Sequence, residues 1–262
     1  MIPFTESKGK VRELNLKAIQ RCLGKTDNGW AYFGLPSPTM EDVLSWKDHL
    51  RSVDAVERGT PGIEWKSQHE LVRTAMLHGI KGFTRHRGDI DELILSSERL
   101  SWEFDIVNLD YTGGITYKDA ERHSKRVEAL RSLIHKQAQR KKQFFLIITV
   151  NDRHHDGGEI NRVLAEMIER AGAQHECVER LKTAMADKDQ RHAAMFYTDY
   201  IVLGTGQQWF KIEIFRPILY TGKREYRMLN MTFCFKPVEA RDAPIGAAYD
   251  IDKICARKPI LL

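Results

Sequence analysis

Short apolar runs alternate with helical stretches along most of the chain. Runs such as 144–150 (FFLIITV) contain no charged residue and are typical of buried strands. Between the runs, apolar residues recur at spacings of three and four, the period of a helix with one buried face. The predicted strands are 30–35, 52–57, 80–86, 104–109, 144–150 and 196–203, followed by 209–220 and 226–236. The predicted helices are 40–50, 68–78, 118–142 and 159–171.

This alternation predicts an α/β fold, a Rossmann-like doubly wound and mostly parallel sheet with a C-terminal antiparallel hairpin. The hairpin is expected from the last two strands, which are joined at Thr221-Gly222-Lys223. Right-handed crossovers would place four strands parallel in one sheet with their carboxyl ends at the same edge. Those strands end at Leu35, Glu57, Leu109 and Val150.

The composition is that of a globular protein. The chain is 42% hydrophobic and 29% charged, and it has no run of about 18 apolar residues that would suit a membrane span. Its start lacks the order of a secretory signal, so we expect a cytoplasmic protein.

The four cysteines are far apart in sequence and are predicted to be reduced. Without a linker-like tract, one domain is expected over 1–262, with an extension (1–27), a core (28–237) and a tail (238–262).

Four junctions between predicted elements carry a resemblance to a known family. They read Phe33-Gly34-Leu35-Pro36-Ser37-Pro38, Val56-Glu57-Arg58, Arg87-Gly88-Asp89-Ile90 and 104–111 (FDIVNLDY). In order and position they resemble the class I S-adenosylmethionine-dependent methyltransferases over roughly residues 28–237. The resemblance implies a methyltransferase that uses S-adenosylmethionine. It leaves the acceptor open, with nucleic acid as one candidate.

The resemblance implies that Gly34 and Pro36 lie in the cofactor loop, Glu57 binds the ribose and Asp89 lies beside the adenine. Glu57 also has a physical argument, because a carboxylate at the carboxyl end of a strand can accept hydrogen bonds from both ribose hydroxyls. Its alternative role is a surface acid paired with Arg58. Asp89 equally suits the N-cap of the next helix. The loop departs from the family pattern, since Gly34 is its one glycine and two prolines follow.

The end of the fourth predicted strand supplies the candidate catalytic residues Asn108, Asp110 and Tyr111. Residues 108–111 (NLDY) stand where methyltransferases acting on amino groups of DNA bases carry Asn/Asp-Pro-Pro-Tyr/Phe, but both prolines are missing here. Asp110 also resembles the acid that follows this strand in other class I enzymes. These residues would line the acceptor side, where catalysis consists mainly of positioning the acceptor against the methyl donor.

Polar residues after the fourth and fifth strands form a candidate metal site. They are Asp110, Asn151-Asp152 and His154-His155-Asp156, and carboxylate oxygens suit Mg²⁺ or Ca²⁺. The same residues would suit a metal-dependent nuclease or hydrolase. They equally suit a polar loop that turns at Gly157-Gly158. A divalent metal is therefore allowed, but no metal ligand is assigned, because the ligand spacing is undefined.

One predicted helix is rich in basic residues, and the formal net charge of the chain is +5. A basic cluster can follow nucleic-acid phosphates, and a solvated helix face is the alternative. A second hypothesis for the whole chain follows: a protein that keeps the methyltransferase fold without its chemistry and binds nucleic acid or a partner protein in a larger assembly. The cluster consists of Arg122, Lys125, Arg126, Arg131, Lys136 and residues 140–142.

Overall fold

Helices and strands alternate through the first part of the chain, as its pattern predicts. The computed structural model describes residues 4–57, 64–96, 100, 102–111, 113–115, 120–151, 157–171, 177–186, 191–221, 227–238, 254 and 257–262. The helices are α1 (Phe4–Leu23), α2 (Glu41–Trp46), α3 (Glu64–Leu77), α4 (Ile90–Ser96), α5 (Ala120–Gln139), α6 (Gly157–Ala171), α7 (Cys177–Ala186) and α8 (Arg191–Gly206), with a 3-10 turn at Lys47–His49. The strands are β1 (Trp30–Gly34), β2 (Leu50–Glu57), β3 (Phe83–Arg87), β4 (Ile106–Asp110), β5 (Phe144–Asn151), β6 (Phe210–Ile214), β7 (Ile218–Thr221), β8 (Arg227–Pro237) and β9 (Ile260–Leu261).

The strands of the described residues join in one sheet of order β3-β2-β1-β4-β5-β8-β7-β9, and β6 also pairs with β8. Strands β1 to β5 are parallel, and β8 runs antiparallel to β5. The predicted fold class and the shared carboxyl edge of the parallel strands are therefore confirmed. The strand order reverses between β1 and β4, and open α/β sheets bind ligands outside the carboxyl ends at such a point.

Two hydrophobic cores lie on opposite faces of the sheet. In β1, Ala31 and Phe33 pack in the core that includes residues of α4 to α8, whereas Trp30 and Tyr32 pack in the core that includes residues of α1 to α3. Successive side chains of a strand point to opposite faces, so a strand covered on both sides is apolar throughout. Strand β5, buried over its whole length, explains why the run 144–150 has no polar face.

Helix α1 was not predicted, because it lies in the segment assigned as an N-terminal extension. One face of the helix is buried, and α1 packs on β5, β7 and β8. The buried residues recur every three or four positions, as a packed helix requires. They are Ser7, Val11, Asn15, Ile19 and Cys22. Two of these five are polar, and they interrupt the apolar pattern that would have revealed the helix.

The prediction of reduced cysteines is wrong for Cys22 and Cys234, which form a disulfide between α1 and β8. Cys177 is also disulfide-bonded. The Cα atoms of Cys22 and Cys234 lie 6.2 Å apart although 212 positions separate them in sequence. The packing of α1 on the sheet brings them together, and no local spacing reveals that. Beside them, Nε2 of Gln143 donates to the backbone oxygen of Cys22 at 2.5 Å.

Removing this disulfide is expected to destabilise the fold. We expect the double variant Cys22→Ala/Cys234→Ala to lose about 2–4 kcal/mol of unfolding free energy, because the cross-link restricts the unfolded chain. Urea unfolding without reductant measures the difference. Mass spectrometry of an unreduced digest of the wild type provides the control, since it should detect the Cys22 and Cys234 peptides as one cross-linked species. Separate peptides would contradict the assignment.

Two predictions in the C-terminal part are wrong. Residues 196–203 belong to helix α8 and not to a strand. This helix is buried on nearly all sides, so it lacks the polar face that distinguishes a helix from a strand in sequence. The predicted strand 209–220 is divided into β6 and β7 on either side of Pro217, and both pair antiparallel with β8. The β7–β8 pair matches the predicted hairpin, and 222–226 lie outside the described residues.

The C-terminal tail adds a strand to the sheet, since β9 pairs in parallel with β7. Among the helices of the described residues, none is both long and apolar enough to cross a membrane.

Candidate functional site

A small polar cavity lies at the carboxyl edge of the sheet, between α1 and the strands. Its volume is about 20 Å³, which is space for one water molecule. It lies next to the β1–β4 reversal, where ligands bind in this class of fold. The charged and amide side chains that α1, α2 and β4 contribute to its lining are Lys8, Arg12, Asn15, Asp42, Asn108 and Asp110.

Asp110 ends β4, and its carboxyl group has the most informative chemistry of the cavity. Burial raises its pKa from 3.8 to about 6; Asp42 raises it as well, while Lys8 and Arg12 act in the opposite direction. A carboxyl group with this pKa is ionised at neutral pH and takes up a proton more readily than an ordinary aspartate. Asp110 can therefore serve as a general base.

A hydrogen-bonded network joins α1, α2, β1 and β4 around Asn108. The buried amide of Asn108 donates through Nδ2 to Oη of Tyr32 at 3.2 Å and to Oδ2 of Asp42 at 3.3 Å. Nε of Arg12 donates to Oδ1 of Asp42 at 2.5 Å, and the Arg12 guanidinium also pairs with Glu41. A single cation from α1 thus pairs with both acids at the start of α2, and Arg12 and Asp42 both line the cavity.

Strands β5, β7 and β8 supply the opposite wall. Nδ2 of Asn230 donates to Oγ1 of Thr149 at 2.8 Å, while the buried Oδ1 of Asn230 has no hydrogen-bond partner among the described residues. Burial and the nearby carboxyl group of Asp110 raise the pKa of Tyr220 well above 10, so its hydroxyl stays protonated. An unsatisfied buried oxygen costs free energy and offers an acceptor to a ligand donor or a water molecule.

Tyr111 lies on the other face of the sheet, away from the residues that line this cavity. Its Oη donates to Oδ1 of Asp91 at 2.8 Å, and the Arg126 guanidinium lies 3.7 Å from the centre of its ring. Arg126 also donates to the backbone oxygen of Gly114. Neighbouring residues of a strand point in opposite directions. Of the three predicted catalytic residues, the structure thus brings together Asn108 and Asp110.

The predicted cofactor loop packs tightly against β4. A Cβ atom on Gly34 would lie 2.2 Å from the backbone oxygen of Asn108, so close packing of β1 on β4 requires a glycine here. Pro36 is buried. Beyond it, Ser37 and Met40 have φ angles of 58° and 50°, the left-handed region that non-glycine residues adopt at a cost.

The other two predicted cofactor residues end or follow neighbouring strands. Glu57 ends β2 at the carboxyl edge, is partly exposed, and its backbone oxygen accepts from Nε2 of Gln68 at 2.5 Å. Asp89 precedes α4, and its Oδ1 accepts from the backbone nitrogen of Asp91 at 2.9 Å. Asp89 is therefore the N-cap of α4, the alternative that its position allows. The backbone oxygen of Asp89 also accepts from the backbone nitrogen of Leu93 at 3.0 Å, within the first turn of the helix.

The candidate metal site falls largely outside the described residues, which lack 152–156. Asn151, which is described, donates its backbone N–H to the oxygen of Gly113 at 3.2 Å. Among the described residues, no group of three His, Cys, Asp or Glu side chains is placed to hold a metal ion.

Several cations of the predicted basic helix, which lie on α5 and at Arg140 just after it, make contacts inside the protein. Arg140 pairs with Asp105 at 2.6 Å, and Nζ of Lys136 donates to the backbone oxygen of Ile94 at 2.5 Å. Arg126 is buried with Asp91 and Tyr111, as described above. Three members of the predicted phosphate-binding cluster are thus occupied with internal contacts.

Sequence patterns did not identify several cavity residues, notably Arg12, Asp42 and Asn230. Asp42 was visible as an acid in the first turn of a predicted helix, where the helix dipole favours it. Arg12 and Asn230 had no comparable signal, because they reach the cavity through the packing of α1 and the antiparallel insertion of β8.

A family model described as PP_RS20740-like matches residues 95–247, more than half of the chain. The chain belongs to the PP_RS20740-like family. No curated protein matches its sequence. The order of the parallel strands followed by the antiparallel β8 gives the chain a Rossmann-like fold.

Several solved structures are similar to this member of the PP_RS20740-like family. An rRNA methylase from Streptococcus thermophilus is 10% identical, with a TM-score of 0.49 over 86% of this chain and 97% of its own. A precorrin 8w decarboxylase from Methanobacterium thermoautotrophicum is 15% identical, with a TM-score of 0.42 over 87% and 90%. A precorrin-6y C5,15-methyltransferase from Geobacter metallireducens is 11% identical, with a TM-score of 0.42 over 87% and 88%.

Proposed function

We propose that the chain is an S-adenosylmethionine-dependent methyltransferase whose acceptor side is the cavity at Asp110. The observation that carries the proposal is the position of this carboxyl group. It ends β4 next to the reversal of strand order, has a pKa of about 6, and faces a cavity lined by polar side chains. Perturbed acids in such places are candidates for catalysis.

The side chains present fit the proposed cofactor. The amino-acid half of S-adenosylmethionine carries a carboxylate and an ammonium group, and Arg12 and Asp42 offer the complementary charges. Glu57 offers a carboxylate for the ribose hydroxyls. The space now open among the cavity residues suits a water molecule, so the Arg12–Asp42 ion pair would have to open on binding. When bound, the cofactor supplies an activated methyl group.

The residues of the chain would then position the acceptor and remove its proton. Asp110 would accept the proton that an O–H or N–H acceptor loses, because it is ionised at neutral pH. The unpaired Oδ1 of Asn230 would accept a hydrogen bond from the second N–H of an amino acceptor. Asn108 would hold Asp42 in place through the hydrogen bond at 3.3 Å. The chemical nature of the acceptor beyond this donor group stays open.

Titration calorimetry with S-adenosylmethionine and S-adenosylhomocysteine tests the proposal directly. We expect both to bind the wild type, and we expect Glu57→Gln to weaken binding by roughly tenfold or more. The loss follows because hydrogen bonds to a charged group contribute about 1.5–3 kcal/mol. The melting temperature should stay unchanged, since Glu57 is at the edge of the sheet.

Glu70→Gln is the matched control, because Glu70 is an exposed acid on α3. This variant should bind both ligands with the affinity of the wild type. No heat at millimolar ligand would contradict the proposed cofactor. Equal affinities of Glu57→Gln and the wild type would remove Glu57 from the site but leave the cofactor in place.

A second candidate function is that of a binding protein that keeps the fold without the chemistry. The predicted cofactor loop supports it, because Gly34 is its one glycine and because Ser37 and Met40, which follow, adopt the left-handed conformation that favours glycine. The same calorimetry separates the two functions: a folded protein that binds neither ligand favours the binding protein.

A further inference from the structure

A group of exposed cations lies on α3, on β3 and in the turn between them, at one end of the sheet. Residues 66–87 contain five lysines and arginines but one acidic residue, Glu70, while the whole chain has a net charge of +5. This short segment therefore carries an excess of positive charge close to that of the complete chain. All five cations are exposed, and we call them the edge patch: Lys66, Arg73, Lys81, Arg85 and Arg87.

The cations of the edge patch form no ion pair with any carboxylate among the described residues. Exposed cations on other helices do form such pairs. Lys17 pairs with Glu13 at 2.6 Å, and Lys182 pairs with Glu179 at 3.0 Å. The positive charge of the edge patch is thus not neutralised within the described structure, and an external anion can use it.

The edge patch has a simple geometry. β3 is the outermost strand at its end of the sheet, and alternate residues of a strand share a face. Phe83 packs against the core that includes residues of α3, so Arg85 and Arg87 lie on the α3 side of the sheet. Helix α3 is about 21 Å long and β3 about 16 Å. The cations are therefore spread along an extended surface, which suits a linear polyanion better than a single small anion.

We propose that the edge patch binds the phosphate backbone of a nucleic-acid duplex. The aromatic ring of Phe83 packs against the core, so it is not free to stack on an unpaired base. A duplex keeps its bases inside and presents about one negative charge per 1.7 Å of its axis. Phosphate contacts of this kind position a protein on the duplex without reading its sequence. The proposal does not depend on cofactor binding, since the edge patch contains none of the cavity residues.

Fluorescence anisotropy with a short labelled duplex of mixed sequence tests the edge patch. The variant is Arg85→Gln/Arg87→Gln, and the matched control is Lys25→Gln/Lys211→Gln, which removes the same charge from two exposed residues outside both basic groups. We expect the wild-type affinity to fall steeply between about 50 and 200 mM salt. At low salt the edge variant should bind at least about tenfold more weakly, and its logarithmic salt slope should be shallower by about 1.8, or 0.9 for each lost phosphate contact.

The control variant should bind nearly like the wild type, and circular dichroism should show both variants folded. Absence of duplex binding by the wild type at low salt would overturn the proposal and leave the cations as a device that prevents strand pairing at an open edge. Equal losses in both variants would indicate attraction by net charge, with no special surface. Tighter binding of polyglutamate than of the duplex would favour an acidic protein partner instead. Loss of S-adenosylmethionine binding in a separate titration would not change any of these outcomes.

Discussion

Replacing Arg257 with methionine is expected to lower the free energy of unfolding by about 3–5 kcal/mol. The side chains of Arg257 and Asp199 are 6% and 0% exposed, and they form an ion pair inside the larger core. Removing one partner of a buried pair leaves the other charge without compensation, which is strongly destabilising. The stability of the variant therefore reports the desolvation free energy of the buried Asp199 carboxylate.

The surroundings of Asp199 offer little replacement for the lost arginine. Its Oδ2 has no hydrogen-bond partner among the described residues, and Arg257 itself also donates to the backbone oxygen of Phe215. Burial raises the pKa of Asp199, and Arg257 acts in the opposite direction. Without Arg257 the folded protein should hold a proton on Asp199. The stability deficit of the variant should then shrink as the pH falls toward about 4, where the unfolded chain binds the same proton.

Urea unfolding at neutral and acidic pH measures both effects. Arg170→Met is the matched control, because Arg170 pairs with Glu166 at the surface and such pairs contribute at most about 1 kcal/mol. The double variant Asp199→Leu/Arg257→Met should regain much of the loss, since it removes the isolated charge. A loss in Arg257→Met no larger than that in Arg170→Met would show that the pair does not stabilise the core.

Replacing Asp110 with asparagine is expected to lower turnover by about 10²–10⁴-fold while leaving S-adenosylmethionine binding within about twofold. The range is what a positioned general base contributes. The substitution keeps the shape of the side chain and removes its ability to accept a proton. This expectation rests on the proposed methyl transfer, so it is tested after calorimetry has established cofactor binding.

The same variant should be more stable than the wild type at neutral pH. The pKa of Asp110 is raised from 3.8 to about 6 in the folded state, so the folded protein binds a proton more tightly than the unfolded chain. Stability then falls as the pH rises from about 4 to about 6, and asparagine avoids this loss. The full shift corresponds to about 3 kcal/mol. Because part of Asp110 is exposed, we expect a gain of about 1–3 kcal/mol at pH 7 and none below about pH 4.

Urea unfolding across this pH range, together with a turnover assay, separates the possible roles of Asp110. Asp48→Asn is the control, since Asp48 is an exposed acid outside the cavity lining and should change neither quantity. Full turnover in Asp110→Asn would exclude Asp110 as the general base. A less stable variant at pH 7 would instead indicate that the carboxylate makes a stabilising contact in the folded state.

Much of the sheet follows from local sequence patterns. Each of β1 to β5 overlaps a strand predicted from the sequence, and the handedness of βαβ crossovers then places their carboxyl ends at one edge. Glu57, Asn108 and Asp110 lie at that edge as predicted, because the carboxyl ends of parallel strands meet at the same edge of a sheet. Helix α8 shows the limit of this reasoning, since burial on nearly all sides removed the periodicity that separates a helix from a strand.

The cavity itself depends on contacts between residues that are distant in sequence. Arg12 meets Asp42 because α1 packs across the sheet, and Asn230 meets Thr149 because β8 inserts antiparallel beside β5. Tyr111 was grouped with Asp110 as a sequence neighbour, yet the pleat of the strand directs it to the other face. Local periodicity indicates which face of an element is buried but not which element covers it. The raised pKa of Asp110 and the Cys22–Cys234 disulfide both depend on which element packs on the sheet at that point, here α1.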